Sequence, residues 1–263
     1  MVKTPATSDT HDPLATIRTR TPARIFAGRS GSAYRTQTQL SLRSDHASAR
    51  DAVQTDIDWE GDLGPDFLQA WDVFAVSSQA RSKAEYLMRP DLGRRLNAQA
   101  QTEIARRCAG DADLQAVIGD GLSVAAVVRQ VPALLPLLHT GVEKRGWRFG
   151  RPFAVRYCRV GVLNDIGELL APTVLVLLIG ERPGLLTAES LSAYMAYRPR
   201  SGHTDAERNL ISNIHARGVA VEEAADRILR LAELMRRAQL SGVAVKEELG
   251  VLAQNAPPLL SDE

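Results

Sequence analysis

The sequence predicts an α/β fold: a Rossmann-like, doubly wound, mostly parallel sheet over residues 111–250, preceded by a helical N-terminal region. Three observations predict it. Residues 174–179 read VLVLLI, an apolar run too short for a membrane span and bounded by Pro172 and Gly180, as expected of a strand buried on both faces of a parallel sheet. Just before it, Val162, Ile166, Leu169 and Leu170 recur at helical spacing, with Asn164 and Asp165 available to cap and complement the amino end of the helix. Residues 114–118 (LQAVI) form a second such run, followed by a glycine turn and the apolar segment VAAVVRQVPALLPLL. Strand and helix alternate, the pattern that winds a sheet between helices.

Taken in order, residues 1–20 are rich in Thr, Ser, Asp, Pro and Arg with only Leu14, Ala15 and Ile17 to bury, and are expected to form a flexible tail. A short amphipathic helix over residues 12–20 that docks on a partner is the sharper alternative. Arg24, Arg29, Arg35 and Arg43 then interleave with Gly28, Ser30, Gly31 and Ser32. A phosphate cradle needs a clear strand before it and a helix after it, so the preferred reading is an arm that grips another protein through charge-assisted pairs. The rest of residues 21–110 reads as helical. Ser44-Asp45 caps HASARDAV, and Pro65 begins DFLQAWDVF with Phe67, Leu68, Trp71 and Phe74 inward. Ser78 opens QARSKAEYL, and Pro90 starts a fourth segment to about Arg107. His46 stands beside Asp45 and Asp51 with no second His, Cys or carboxylate at metal-ligand spacing, and is read as a capping or interface residue.

The second half carries the candidate site. Gly119-Asp120-Gly121-Leu122-Ser123 presents free N–H groups at a helix amino end, with Asp120 or Ser123 serving as cap or ligand contact. Residues 153–160 (FAVRYCRV) are the third strand and 190–197 (SLSAYMAY) the fourth. Gly180-Glu181-Arg182-Pro183-Gly184 follows the 174–179 strand at its carboxyl end, where open parallel sheets place ligands, with glycines for close approach and positive φ. A crevice between this loop and residues 119–123 is the expected site. Residues 205–215 (DAERNLISNIH) read as a short helix or turn. Residues 221–240 form a long amphipathic helix with Ile228, Leu231, Leu234 and Met235 inward, ended by Gly242. Residues 251–263, with Pro257 and Pro258, are expected to form a flexible C-terminal tail.

Composition excludes several classes. With 32 Lys and Arg against 31 Asp and Glu, a net charge of +1 gives no bias toward nucleic acid or an anionic membrane. No run is read as long and apolar enough to cross a bilayer. Cys108 and Cys158 stand in unrelated contexts and the first residues carry no signal-peptide core, so a reduced, cytoplasmic setting is expected. A GxSxG elbow, a P-loop, a CxxC pair and clustered histidines are all missing from the sequence. Nucleophilic, phosphoryl-transfer and metal-hydrolytic chemistry therefore lack their residues.

The run DIGELLAPTVLVLLIGERPGL, followed by ESLSAY at 189–194, DAER at 205–208 and ISNIH at 211–215, resembles the small subunit of ethanolamine ammonia-lyase. TPARI at 21–25, GRSG at 28–31, DHASARDAV at 45–53, YLMRPDLGRRL at 86–96 and DGLS at 120–123 agree, so the resemblance extends from about 21 to about 246. It implies a lyase that converts ethanolamine to acetaldehyde and ammonia by radical rearrangement with adenosylcobalamin. It also implies a hetero-oligomer in which the large subunit carries substrate and radical chemistry while this chain covers the cobalamin with no catalytic residue of its own. No Asp-x-His-x-x-Gly pattern occurs, so the cofactor is expected to keep its own dimethylbenzimidazole on cobalt. The resemblance places cobalamin contacts on Val160, Glu181 and Leu210; the family often has cysteine at the last position, which leucine replaces harmlessly only if the backbone makes the contact. It also raises a bacterial microcompartment as an address within the cytoplasm. Two readings from other classes stand beside it: a stand-alone Rossmann-like module for a nucleotide or other small molecule, and a purely structural subunit.

Overall fold

The structure, a computed structural model, describes residues 27–184 and 187–247 together with Leu14, Ile17 and Ile25. The expected tails at 1–20 and 251–263 lie outside the described residues, save that Leu14 and Ile17 are helical and exposed. An arm comes first. β1 (Arg29–Ser30) and β2 (Ala33–Tyr34) pair antiparallel around Gly31. α1 (Thr36–Gln54) then runs 19 residues without burying one, and starts after Arg35 rather than at the expected Ser44-Asp45 cap. A helix with no buried face draws little from packing, and such helices are marginal alone in water.

α2 (Trp59–Leu63) and α3 (Pro65–Ala70) follow, Pro65 taking the first helical turn as expected. The segment stops short of Phe74, which opens β3 (Phe74–Ser77). Phe67, Leu68 and Trp71 pack into one half of the core and Phe74 into the other, so the stripe expected of these four is split. Ser82, not Ser78, caps α4 (Lys83–Met88) by accepting the Glu85 N–H at 3.2 Å. Asn97, rather than Pro90, opens α5 (Ala98–Arg107), accepting the Ala100 N–H at 2.7 Å. The chain between them makes a 3₁₀ turn at Leu92–Arg94 and is then tied down at Leu96, which bridges to Ser78 and whose N–H donates to the Asp165 carboxylate at 2.9 Å.

β4 (Leu114–Gly119), β5 (Phe153–Arg156), β6 (Val174–Gly180), β7 (Leu191–Tyr197) and β8 (Asn209–Ile214) join β3 in one sheet, ordered β3-β5-β4-β6-β7-β8. The first four strands in that order are parallel; β7 and β8 each run antiparallel to their neighbours. The α/β class is therefore met, while the sheet is mixed where a Rossmann-like, doubly wound, mostly parallel one was expected. The difference begins after β6, where the chain re-enters the sheet as antiparallel β7 after residues 181–190, with no crossover helix among the described residues between them. Residues 205–215, read as helix or turn, add a 3₁₀ turn at Asp205–Glu207 and then β8. Ile211 and Ile214 have helical spacing, yet a register shift opposite Leu191 and Ala193 lets both face the core from a strand.

Three further helices cover the sheet: α6 (Val124–Glu143), α7 (Val162–Leu170) and α8 (Val221–Ala238). Alternation divides the strand residues between two faces. Leu114, Ala116, Ile118, Val174, Val176 and Leu178 meet α6 and α8, while Val117, Val155, Leu175 and Leu177 meet α5 and α7. α6 is long and apolar enough by length and composition to cross a membrane, against the sequence reading, but its Val127, Val131, Leu134 and Leu138 are fully buried against the sheet as those of a core helix. Asn164 and Asp165 tie α7 to other segments instead of capping it: Asn164 donates to the His203 carbonyl at 2.8 Å and Asp165 holds Leu96.

Two locks fix the loops at the carboxyl ends of the central strands. The buried Asp120 carboxylate accepts the Tyr157 N–H at 2.7 Å and the Cys158 N–H at 2.8 Å, so β5 ends at Arg156 rather than running to 160. Gly121, at φ 59°, lies against the backbone of Gly180, and a Cβ on Gly180 would collide with the Ser123 carbonyl and stand 3.0 Å from that of Asp120. Close approach is thus what Gly180 is for. Positive φ, expected of Gly180 and Gly184, belongs to Gly121 instead.

Both locks are testable. Because backbone cannot yield to a new methyl group, Gly180→Ala should cost about 3 kcal/mol of stability in a denaturant titration; an unchanged midpoint would contradict the packing described. Burial pushes the Asp120 carboxyl up to about 6. The folded chain therefore holds this proton more tightly than the unfolded chain does, so the group's contribution to stability falls as pH rises from about 4 to about 6. Asp120→Asn should flatten that slope, and an identical pH dependence in both proteins would refute the assignment.

Candidate binding cleft

An open cleft of about 430 Å³ lies over the carboxyl ends of β4, β5 and β6 and reaches across β7 to β8. Val160, Glu181 and Leu210 all line it, although they come from three separate parts of the chain. Val160 stands in the loop between β5 and α7, placed there because Asp120 turns the chain at Tyr157 and Cys158. Glu181 is the first residue beyond β6. Leu210 lies on β8 opposite Tyr194 of β7, and the residue is 45% exposed. An exposed leucine beside the half-buried Val160 and Leu122 gives the cleft an apolar wall. The expected crevice between residues 119–123 and the Gly180 loop is part of this cleft, with Gly121 and Leu122 on one side and Gly180 and Arg182 on the other.

The Glu181 carboxylate is held rigidly. Its Oε1 accepts from the Ser192 hydroxyl at 2.6 Å and from the Asn213 N–H at 2.9 Å, and its Oε2 accepts from the Ser190 hydroxyl at 2.8 Å. Ser190 and Ser192 are two apart, so both reach the same face of the extended chain. Asn213 has φ 61° near the irregular end of β8, which aims its N–H at Glu181. The Asn213 side chain in turn meets His215 Nε2 at 2.7 Å. Burial lowers the basicity of His215, which favours the neutral ring. Oε1 of Glu181 already accepts two bonds, so the lone-pair capacity left for a ligand is on Oε2.

The floor is aromatic and cationic. Tyr86 donates its hydroxyl to the Cys158 carbonyl at 3.0 Å, and the Arg159 guanidinium lies 4.3 Å from the centre of the Tyr86 ring. Burial holds the Cys158 thiol protonated and raises Cys108 to about 11, so neither thiol is poised as a nucleophile. Buried Asp120 is committed to two backbone N–H groups. Among the described residues no group of three His, Cys, Asp or Glu is arranged to hold a metal ion. The cleft combines an apolar wall, a fixed acceptor and a cation. His46 lies away from it, exposed on α1. Sequence reasoning missed Tyr86, Arg159, Ser192 and Tyr194 as lining residues; the Ser-x-Ser spacing around Leu191 was a usable signal for one of them, while the fold brings Tyr86 in from α4, Tyr194 from β7 and Arg159 from the loop after β5.

Residues 11–246 match the family model of the ethanolamine ammonia-lyase light chain. The chain is similar to the ethanolamine ammonia-lyase small subunit of Clostridium perfringens, with 40% identity over 88% of this chain and 76% of the relative. The corresponding subunit of Fusobacterium nucleatum is 40% identical over 86% of this chain and 75% of that protein, and that of Clostridium acetobutylicum 36% identical over 89% and 94%. With a match over nearly the whole chain, and a fold that gathers into one cleft the residues singled out by resemblance, the chain belongs to the ethanolamine ammonia-lyase small-subunit family and is part of a lyase.

Proposed function

We propose that this chain covers adenosylcobalamin in an ethanolamine ammonia-lyase whose large subunit holds the substrate. The observation that carries the reading is the convergence of Val160, Glu181 and Leu210 on one open cleft. The residues fit the group. Val160 and Leu210 offer apolar contact to a corrin rim, Glu181 offers a fixed acceptor to amide or ribose donors, and the buried Arg159 Nε, which lacks a hydrogen-bond partner, offers a donor. When bound, the cofactor supplies the radical that initiates conversion of ethanolamine to acetaldehyde and ammonia. The residues of this chain bind and orient, exclude water from one side, and hold Glu181 still through Ser190, Ser192 and Asn213.

The large subunit is the partner that completes the arm. α1 buries no residue, and its Leu40 and the Tyr34 of β2 are exposed, so the arm presents apolar and basic surface for another chain. This reading sets the complex in the cytoplasm, with a bacterial microcompartment as the finer address inside it.

Co-expression with the large subunit should give acetaldehyde release from ethanolamine only when both chains and adenosylcobalamin are present. A stable but silent pair would overturn the cofactor or substrate assignment, and nucleotide binding by the isolated chain with no pairing would favour a stand-alone module. In the assembled complex, Glu181→Ala should weaken adenosylcobalamin binding about tenfold to a hundredfold by loss of a charged hydrogen-bond acceptor. Unchanged affinity would remove Glu181 from the site.

A further inference from the structure

Beside the cleft, and sharing Arg159, Val160 and Tyr194 with it, a second concavity of about 540 Å³ extends toward α7 and the turn before β8. Its walls carry four guanidinium groups, those of Arg94, Arg95, Arg159 and Arg208, against the two carboxylates of Asp165 and Asp205. Arg95 pairs with Asp165 at 3.2 Å and Arg208 pairs with Asp205, leaving an excess of positive charge. The Arg208 side chain is only 7% exposed and is also fixed by Asn164 Oδ1 at 3.1 Å.

Three buried nitrogens here have no hydrogen-bond partner: Nε of Arg208, Nε of Arg159 and Nδ1 of His203. Buried polar groups are nearly always satisfied, so three orphans along one concavity call for an occupant. The arginine nitrogens are obligate donors, and the histidine nitrogen is a donor in one tautomer and in the cation. Donors with surplus positive charge select an oxyanion, and fixed guanidinium groups match the tetrahedral oxygens of a phosphate.

We propose that this trough binds a phosphodiester, and that the phosphodiester is that of the cobalamin nucleotide loop. The assignment rests on the cofactor reading given above and adds to it a second foothold. The trough meets the cleft at Arg159 and Val160, so one molecule can place its ring against the cleft and its phosphate beside Arg159 and Arg208. The volume also exceeds what a lone phosphate fills, leaving room for the attached sugar.

Adenosylcobinamide, which keeps the corrin but lacks the phosphate, ribose and base, isolates this contribution. Equilibrium dialysis of the assembled complex, read by corrinoid absorbance, gives dissociation constants for adenosylcobalamin and adenosylcobinamide. Arg208→Met should weaken adenosylcobalamin binding by about tenfold or more while leaving adenosylcobinamide unchanged. His203→Ala, which removes a donor that lines the trough and not the cleft and leaves the Arg208 pairs with Asp205 and Asn164 intact, should act in the same direction. Inorganic phosphate should compete with adenosylcobalamin and not with adenosylcobinamide. Equal losses for both corrinoids, or none for adenosylcobalamin, would overturn the proposal, as would phosphate binding that leaves adenosylcobalamin undisturbed, which marks a separate anion site. If the unaltered complex binds neither corrinoid, the cofactor reading itself fails and takes this assignment with it.

Discussion

One buried carboxylate determines where the cleft can be. Asp120 leaves the end of β4 and takes the N–H groups of Tyr157 and Cys158, which would otherwise have extended β5. That pair of bonds turns the chain, sends Arg159 and Val160 out over the sheet and lets α7 begin two residues later. The same short loop presses Gly121 and the Ser123 carbonyl against Gly180, so the ends of β4, β5 and β6 are tied together at backbone distance. Burying a carboxylate costs free energy, and hydrogen bonds from the backbone offset that cost best when the geometry is rigid. A rigid rim is what a binding surface without moving chemical groups requires.

The antiparallel half of the sheet has a different task. β7 and β8 bring Ser192, the Asn213 N–H and Leu210 to the side of the cleft opposite Val160, and Ser190 at the head of β7 completes the cradle of Glu181. A purely parallel sheet would need a crossover helix at this point and would leave Glu181 on an unsupported loop. The departure from the doubly wound pattern therefore coincides with the element that holds the acceptor still.

What the sequence made legible follows from which interactions are local. The runs at 114–118 and 174–179 are buried on both faces, so their apolar character alone located them, and the amphipathic pattern of α8 was equally plain. Segments whose form depends on distant partners were misread: Phe74 joins β3 because β5 lies beside it, and Ile211 and Ile214 mimic helical spacing because β8 is irregular where it meets β7. Val160, Glu181 and Leu210 were named by resemblance, and composition or spacing would not have grouped them. Tyr86 and Arg208 fall in stretches that carry the resemblance, yet what sets them beside Arg159 along one rim is the fold and not their neighbours in sequence.

The most direct test of the account is a map of the assembled complex with adenosylcobalamin bound, at a resolution that places the corrin. The account predicts the ring seated between the two subunits, with its edge against Val160, Glu181 and Leu210 and its nucleotide loop directed toward Arg159 and Arg208. A corrin enclosed wholly by the large subunit, with this cleft facing solvent, would contradict it.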